Sequence, residues 1–148
     1  MKKSLFSLCI SIVLGLTSAP IFAQKAYTPE PNKVVYHVDD AEAQGLKGLR
    51  NIRNHLDVAP STKITVVMHA NGVDLVMDGA QDKKSKAEYA PLVSALVSRG
   101  VVFEVCEITL KNRNLKKDQF VLEATFTPSG VARLADLQAQ QKFAYIKP

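Results

Sequence analysis

Apolar and polar positions along the chain alternate between two rhythms. Lys33 to Val38 (Lys-Val-Val-Tyr-His-Val) is a β-branched run of the kind that forms a buried strand. Behind it, Leu46, Leu49, Ile52 and Leu56 recur at helical spacing on one face, with Asp39 or Asp40 as the cap and Asp57 to Ser61, with Pro60, as the end. Gly45 and Gly48 weaken this helix. Ile64, Val66, Val67 and Met68 mark a second strand over Lys63 to His69, closed by the turn pair Asn71-Gly72. Val73 to Met77 fits a short helix or a loop, and Asp78 to Lys84 is polar connector.

The second half repeats the rhythm. Ser85 with Glu88 forms a capping-box pattern ahead of the stripe Tyr89, Leu92, Val93, Leu96 and Val97, and Gly100 is placed to end that helix. Val101 to Cys106 is a third strand, followed directly by a helix or turn over Glu107 to Asn114. Phe120 to Phe126 is a fourth strand. Thr127-Pro128 then offers a cap and a first-turn proline for a helix carrying Val131, Leu134, Leu137 and Gln141, and Phe143 to Ile146 is a short last strand. About five such alternations with short connections predict an α/β domain whose mostly parallel, about five-stranded sheet carries helices on both faces. Right-handed crossovers bring the C-terminal ends of the strands to one edge, which collects His37 to Asp40, His69 to Asn71 and Cys106 to Thr109.

The first 23 residues follow a different logic. Lys2 and Lys3 precede the uncharged apolar stretch Leu5 to Leu16, and Ile21-Phe22-Ala23 suits signal cleavage before Gln24, with cleavage after Thr17-Ser18-Ala19 as the alternative. Residues 1–23 are therefore expected to be an export signal, which makes the protein periplasmic or secreted. The apolar stretch is too short for stable membrane insertion. Residues 24–32, with Pro29 and Pro31, read as an extended arm, and residues 33–148 as the folded domain. The net charge of +5 falls once Lys2 and Lys3 are removed, and no aromatic residues interleave with the basic ones, so nucleic acid is not an expected partner.

Of two cysteines, Cys9 leaves with the signal and Cys106 remains without an internal partner. It is a small buried apolar residue, one half of an intermolecular bridge, or a reactive thiol. A helix starting at Glu107 would lower its pKa, whereas Glu104 and Glu107 would raise it. His69, at the end of the neighbouring strand, is a candidate base or cationic partner, or else a strand-end histidine bonded to a loop carbonyl. Asn71 and the Gly72 backbone are candidates for binding an oxyanion, and Thr109 lies on the same edge. Three scattered histidines give no metal-ligand cluster, and with neither GxGxxG nor GKS/T after the first strand no nucleotide or other cofactor is expected.

Three stretches together resemble the DsrE/DsrF-like family: Lys33-Val-Val-Tyr-His-Val-Asp39, Val66-Val-Met-His-Ala-Asn-Gly72, and Leu96 through Gly100 and Cys106 to Leu110. The tail from Pro128-Ser-Gly-Val131 through Leu137-Gln138 to Phe143-Ala-Tyr-Ile-Lys-Pro148 extends the likeness to nearly the whole domain. The resemblance implies a three-layer α/β/α fold and homo-oligomers such as trimers or hexamers. It also implies sulfur-relay chemistry, in which a cysteine after the third strand carries a persulfide between a sulfur donor and an acceptor protein; Cys106 matches that position. Relay members work in a reducing cytosol, whereas the export signal directs this chain to an oxidising compartment. A non-catalytic binding module with Cys106 buried is the alternative.

Overall fold

The β-branched run at Lys33 continues as strand β1 (Lys33–Asp40) until Asp40 turns the chain into α1 (Ala41–Val58), its carboxylate accepting a hydrogen bond from the Ala43 N–H at 3.0 Å. The computed structural model describes residues 31–148, so the expected export signal and the arm as far as residue 30 lie outside the described residues. The chain continues through β2 (Lys63–Asn71), α2 (Ala90–Val97), β3 (Val102–Cys106), α3 (Glu107–Arg113), β4 (Ala124–Thr127), α4 (Gly130–Ala139) and β5 (Ala144–Ile146). The strands lie in the order β4-β3-β2-β1-β5, and each pairing is parallel.

That order dictates the layers. From β1 to β4 each strand is added on the same side of the last, so right-handed crossovers carry α1, α2 and α3 over one face of the sheet. There Leu49, Ile52, Leu56, Val93, Leu96 and Leu110 pack on Tyr36, Val66, Met68, Phe103 and Val105. The return from β4 past three strands to β5 runs in the opposite sense, and α4 crosses the other face. Its Leu134 and Leu137 seal Val35 and Val67, and each such fully buried aliphatic side chain contributes about 1.5–3 kcal/mol. Arg133 of α4 adds a two-pronged ion pair to the nearly buried Glu104 of β3, at 2.7 and 2.9 Å.

Several local expectations are corrected. Ser85 and Glu88 form no capping box: Asp82 accepts hydrogen bonds from the Ser85 N–H (2.6 Å) and hydroxyl (2.7 Å), and Glu88 bridges to Gln81. The helix starts instead at Ala90, with Pro91 in its first turn, and Gly100 (φ +87°) ends its last turn as expected. The ambiguous stretch after β2 is a buried 3-10 helix, Gly72–Val76. The fourth strand begins at Ala124 and not at Phe120, because Phe120 forms an antiparallel bridge with Met77 and the Val121 N–H donates to the Val76 carbonyl at 3.0 Å. The chain must then turn at the fully exposed Leu122 to regain the sheet. At α4 the cap is Ser129 and not Thr127, which ends β4; the Ser129 hydroxyl accepts from the Ala132 N–H at 3.3 Å. Val131 faces solvent, and Gln141 lies beyond the helix.

Candidate functional site

Adjacent strands β3 and β4 send their helices to opposite faces, α3 to one and α4 to the other. Where neighbouring connections diverge in this way, a crevice opens at the C-terminal edge of a parallel sheet. Here it is a shallow depression of about 280 Å³ lined by His69, Cys106, Thr109, Asn112, Arg113 and Ser129, among others. Cys106 is the last residue of β3 and stands at the N-cap position of α3, with no side-chain capping hydrogen bond; Gly130 opens α4 beside it.

The cysteine is 4% exposed, and burial alone would raise its pKa. The N–H groups of Gly130, Thr109 and Ile108 and the Thr109 hydroxyl face the sulfur, and together they outweigh burial and lower the pKa below its ordinary value. The donors come from the first turns of two helices, which is why they point at the sulfur with no intrahelical partner of their own. The feared opposition from carboxylates is muted: Glu104 is bound by Arg133, and Glu107 pairs with Lys117 at 2.5 Å.

Thr109 has a second task. Its Oγ accepts from the Ala70 N–H at 3.0 Å, while the Arg113 guanidinium donates to the Ala70 carbonyl at 3.1 Å and pairs with Asp74 at 2.8 Å. Ala70 sits at φ +48°, in the left-handed region that a non-glycine residue adopts only when its surroundings enforce it. One helix, α3, thus clamps both backbone polar groups of a strained residue directly after His69.

His69 shares the depression with Cys106, and the two Cβ atoms flank Gly130 so closely that a Cβ built on that glycine would stand 3.2 Å from each. Its Nε2 lies 2.7 Å from the Nε2 of His37, and the His37 Nδ1 lies 2.6 Å from the Tyr145 hydroxyl. Burial lowers the His37 pKa, His69 lowers it further, Asp39 opposes and Lys147 adds to the lowering. Asp39 and Lys147 are themselves paired at 2.7 Å across β1 and the C-terminal tail.

Of the residues singled out from sequence, Cys106, His69 and Thr109 come together. Asn71 and Gly72 do not join them. Asn71 lines a separate polar depression with Asp40, Glu42, Asp74 and Lys83. Gly72 is buried against backbone, where a Cβ would meet the Val38 carbonyl oxygen at 2.0 Å. Sequence reading missed Gly130, Tyr145 and the clamp on Ala70. His37 and His69 carried a signal, since both were placed at strand ends on one edge. Among the described residues no group of three or more His, Cys, Asp or Glu is arranged to hold a metal ion, and no helix is long and apolar enough to cross a membrane.

Among curated proteins, none matches the chain. Solved structures share its fold, among them the two that follow. The MTH1491 protein of Methanobacterium thermoautotrophicum aligns with a TM-score of 0.69 at 29% identity, covering 79% of this chain and 99% of that one. The ychN protein of E. coli aligns with a TM-score of 0.65 at 12% identity over the same shares, a likeness of fold alone. The sequence profile of the DsrE/DsrF-like family matches residues 33–148, which takes in each strand and helix of the sheet and the crevice at its edge, and the chain therefore belongs to the DsrE/DsrF-like family.

Proposed function

We propose that this protein carries sulfur as a persulfide on Cys106. The observation that carries the reading is the set of donors from two helix starts aimed at the Cys106 sulfur, which favours the thiolate, the form that attacks sulfur and leaves from it. In the loading step the Cys106 thiolate attacks the outer sulfur of a donor persulfide R–S–SH. A new S–S bond forms, the donor S–S bond breaks, R–S⁻ departs and Cys106 holds S–SH. In unloading, an acceptor thiolate attacks that outer sulfur, and the Cys106 thiolate returns to its N–H donors. No net oxidant or reductant is consumed. His69 exchanges protons with the incoming and departing thiols, a role supported by its lining the same depression as Cys106.

The basic start, uncharged apolar core and cleavage-like end of residues 1–23 support action outside the cytoplasm, after export. A homo-oligomer, trimer or hexamer, is supported by the thin cover on the α4 face, where Val102 (41%), Val131 (64%) and Tyr145 (43%) are exposed. The second reading, a binding module with an inert thiol, draws on the 4% exposure of Cys106.

The test is alkylation of Cys106 in folded protein across pH, with mass detection of an added sulfur atom after exposure to a sulfane donor. The expected outcome is an apparent pKa below the ordinary thiol value of about 8.5 and one sulfur per chain. Alkylation only after denaturation would overturn the proposal in favour of the second reading.

A further inference from the structure

The His37–His69 contact has a chemical constraint built into it. Two imidazole Nε2 atoms 2.7 Å apart bind each other only when one holds a proton and the other a lone pair. The neutral rings must therefore be opposite tautomers at that position, and exchanging the roles moves one proton along the contact. At the far end, the His37 Nδ1 faces the Tyr145 hydroxyl at 2.6 Å, and Tyr145 is 43% exposed on the edge strand β5. At the near end, His69 lines the Cys106 depression, and among the described residues none hydrogen-bonds its Nδ1. The chain solvent–Tyr145–His37–His69 thus ends on a ring in the same depression as the thiol.

We infer that Tyr145, His37 and His69 form a proton relay that switches His69 between base and acid at the Cys106 crevice. The inference rests on the sulfur-carrier reading for its purpose, though not for its geometry. In unloading, the relay starts with protons on His69 Nε2, His37 Nδ1 and Tyr145. The His69 Nδ1 takes the proton of an acceptor thiol R′–SH. His69 Nε2–H passes its proton to the His37 Nε2, His37 Nδ1–H passes its proton to the Tyr145 oxygen, and the Tyr145 hydroxyl proton goes to water. Every relay group ends neutral, and R′–S⁻ is free to attack the outer sulfur of the Cys106 persulfide, releasing the Cys106 thiolate. In loading, the sequence runs in reverse and His69 Nδ1–H protonates the departing R–S⁻. Over a full cycle the reaction is RSSH plus R′SH giving RSH plus R′SSH, with no proton left over.

Each transfer begins and ends with both rings neutral. The groups that face His37 are Asp39 on its own strand, His69 on β2, Tyr145 on β5 and Lys147 in the tail, and the Asp39 carboxylate is already occupied by Lys147. His37 is thus a positioning residue and proton conduit that acts through His69.

Two experiments separate this inference from the sulfur-carrier reading. In purified protein labelled with ¹⁵N-histidine, long-range ¹H–¹⁵N spectra at neutral pH should show His37 and His69 with opposite Nε2 protonation and a shared, strongly downfield proton. Two rings with the same Nε2 state would overturn the relay, whatever Cys106 does. In sulfur transfer from loaded Cys106 to a thiol, Tyr145→Phe and His37→Gln should slow the rate on the order of 10- to 100-fold near pH 6, where the acceptor is a neutral thiol. The deficit should shrink near pH 9, where the acceptor ionises without help, and Cys106 alkylation should keep its wild-type rate. A uniform deficit at both pH values, or none, would overturn the relay and leave the sulfur-carrier proposal standing. Failure of the unaltered protein to load sulfur would overturn the carrier proposal, and the ¹⁵N spectra would still decide the shared proton.

Discussion

Replacing Gly130 by alanine perturbs the thiol without touching it. The new Cβ would stand 3.2 Å from both the Cys106 and the His69 Cβ atoms, inside the roughly 3.5–4.0 Å at which carbon atoms pack comfortably. Both neighbours are strand-end Cβ atoms fixed by their backbones, so the start of α4 must retreat by about 0.3–0.8 Å to restore normal contact. The Gly130 N–H retreats with it, and this donor is the largest single influence lowering the Cys106 pKa. A hydrogen bond to a charged group contributes about 1.5–3 kcal/mol, so weakening it by half removes about 1 kcal/mol from the thiolate. At about 1.4 kcal/mol per unit, the Cys106 pKa should rise by roughly 0.5–1 unit. Well below the pKa, the thiolate population and the alkylation rate should then fall about 3- to 10-fold. The assay is iodoacetamide alkylation followed against pH, with urea unfolding as a check that the fold survives. An apparent pKa that stays put or falls would refute the claim that the α4 N-terminus holds the thiolate.

Other expectations concern the frame. Gly72→Ala should destabilise the protein by about 3 kcal/mol or more, because the added Cβ meets the backbone of β1, at 2.0 Å from the Val38 oxygen and 2.5 Å from its carbon, where no rotamer can give way. A urea midpoint that loses less than about 1 kcal/mol would show that β1 and the 3-10 helix separate easily. For His37, folding lowers the pKa, so the unfolded chain binds the proton more readily. Its contribution to stability is complete above the unfolded value of about 6.5 and is lost as pH falls through the lower folded value. His37→Gln should flatten that acid limb in chemical denaturation; an unchanged slope would mean that His37 does not titrate as described.

The elements that bury apolar periodicity were legible. β1, α1 and β2 could be read from residues whose only stable environment is a strand or helix against a core, and their alternation implied the parallel sheet and the edge on which Cys106 lies. What escaped was competition between local and distant partners. Ser85 carries a helix-capping signature, yet Asp82, three residues earlier, takes its N–H and hydroxyl first. Phe120 and Val121 have strand propensity, but they spend it on Met77 and Val76 outside the sheet. The histidine pair depends on register: His37 stands opposite Val67, and His69, two residues further on the same face, reaches back to it diagonally. Strand order is set by packing across the whole chain, so neither the position of Tyr145 beside His37 nor the arrival of Gly130 beside Cys106 has any local trace in the sequence.

The divergence of α3 and α4 has a consequence for how this surface can change over time. The crevice exists because β3 and β4 are neighbours whose helices part, and backbone N–H groups from both helix starts line it whatever side chain stands at 106. Chemistry and container are therefore separable. A single codon change at Cys106 would remove the sulfur while leaving a cradle of positive dipoles, whereas the container itself depends on the close approach of Gly130 to Cys106 and His69 and on the left-handed backbone at Ala70. Descendants of this architecture are free to lose or exchange the reactive atom long before they lose the place that held it.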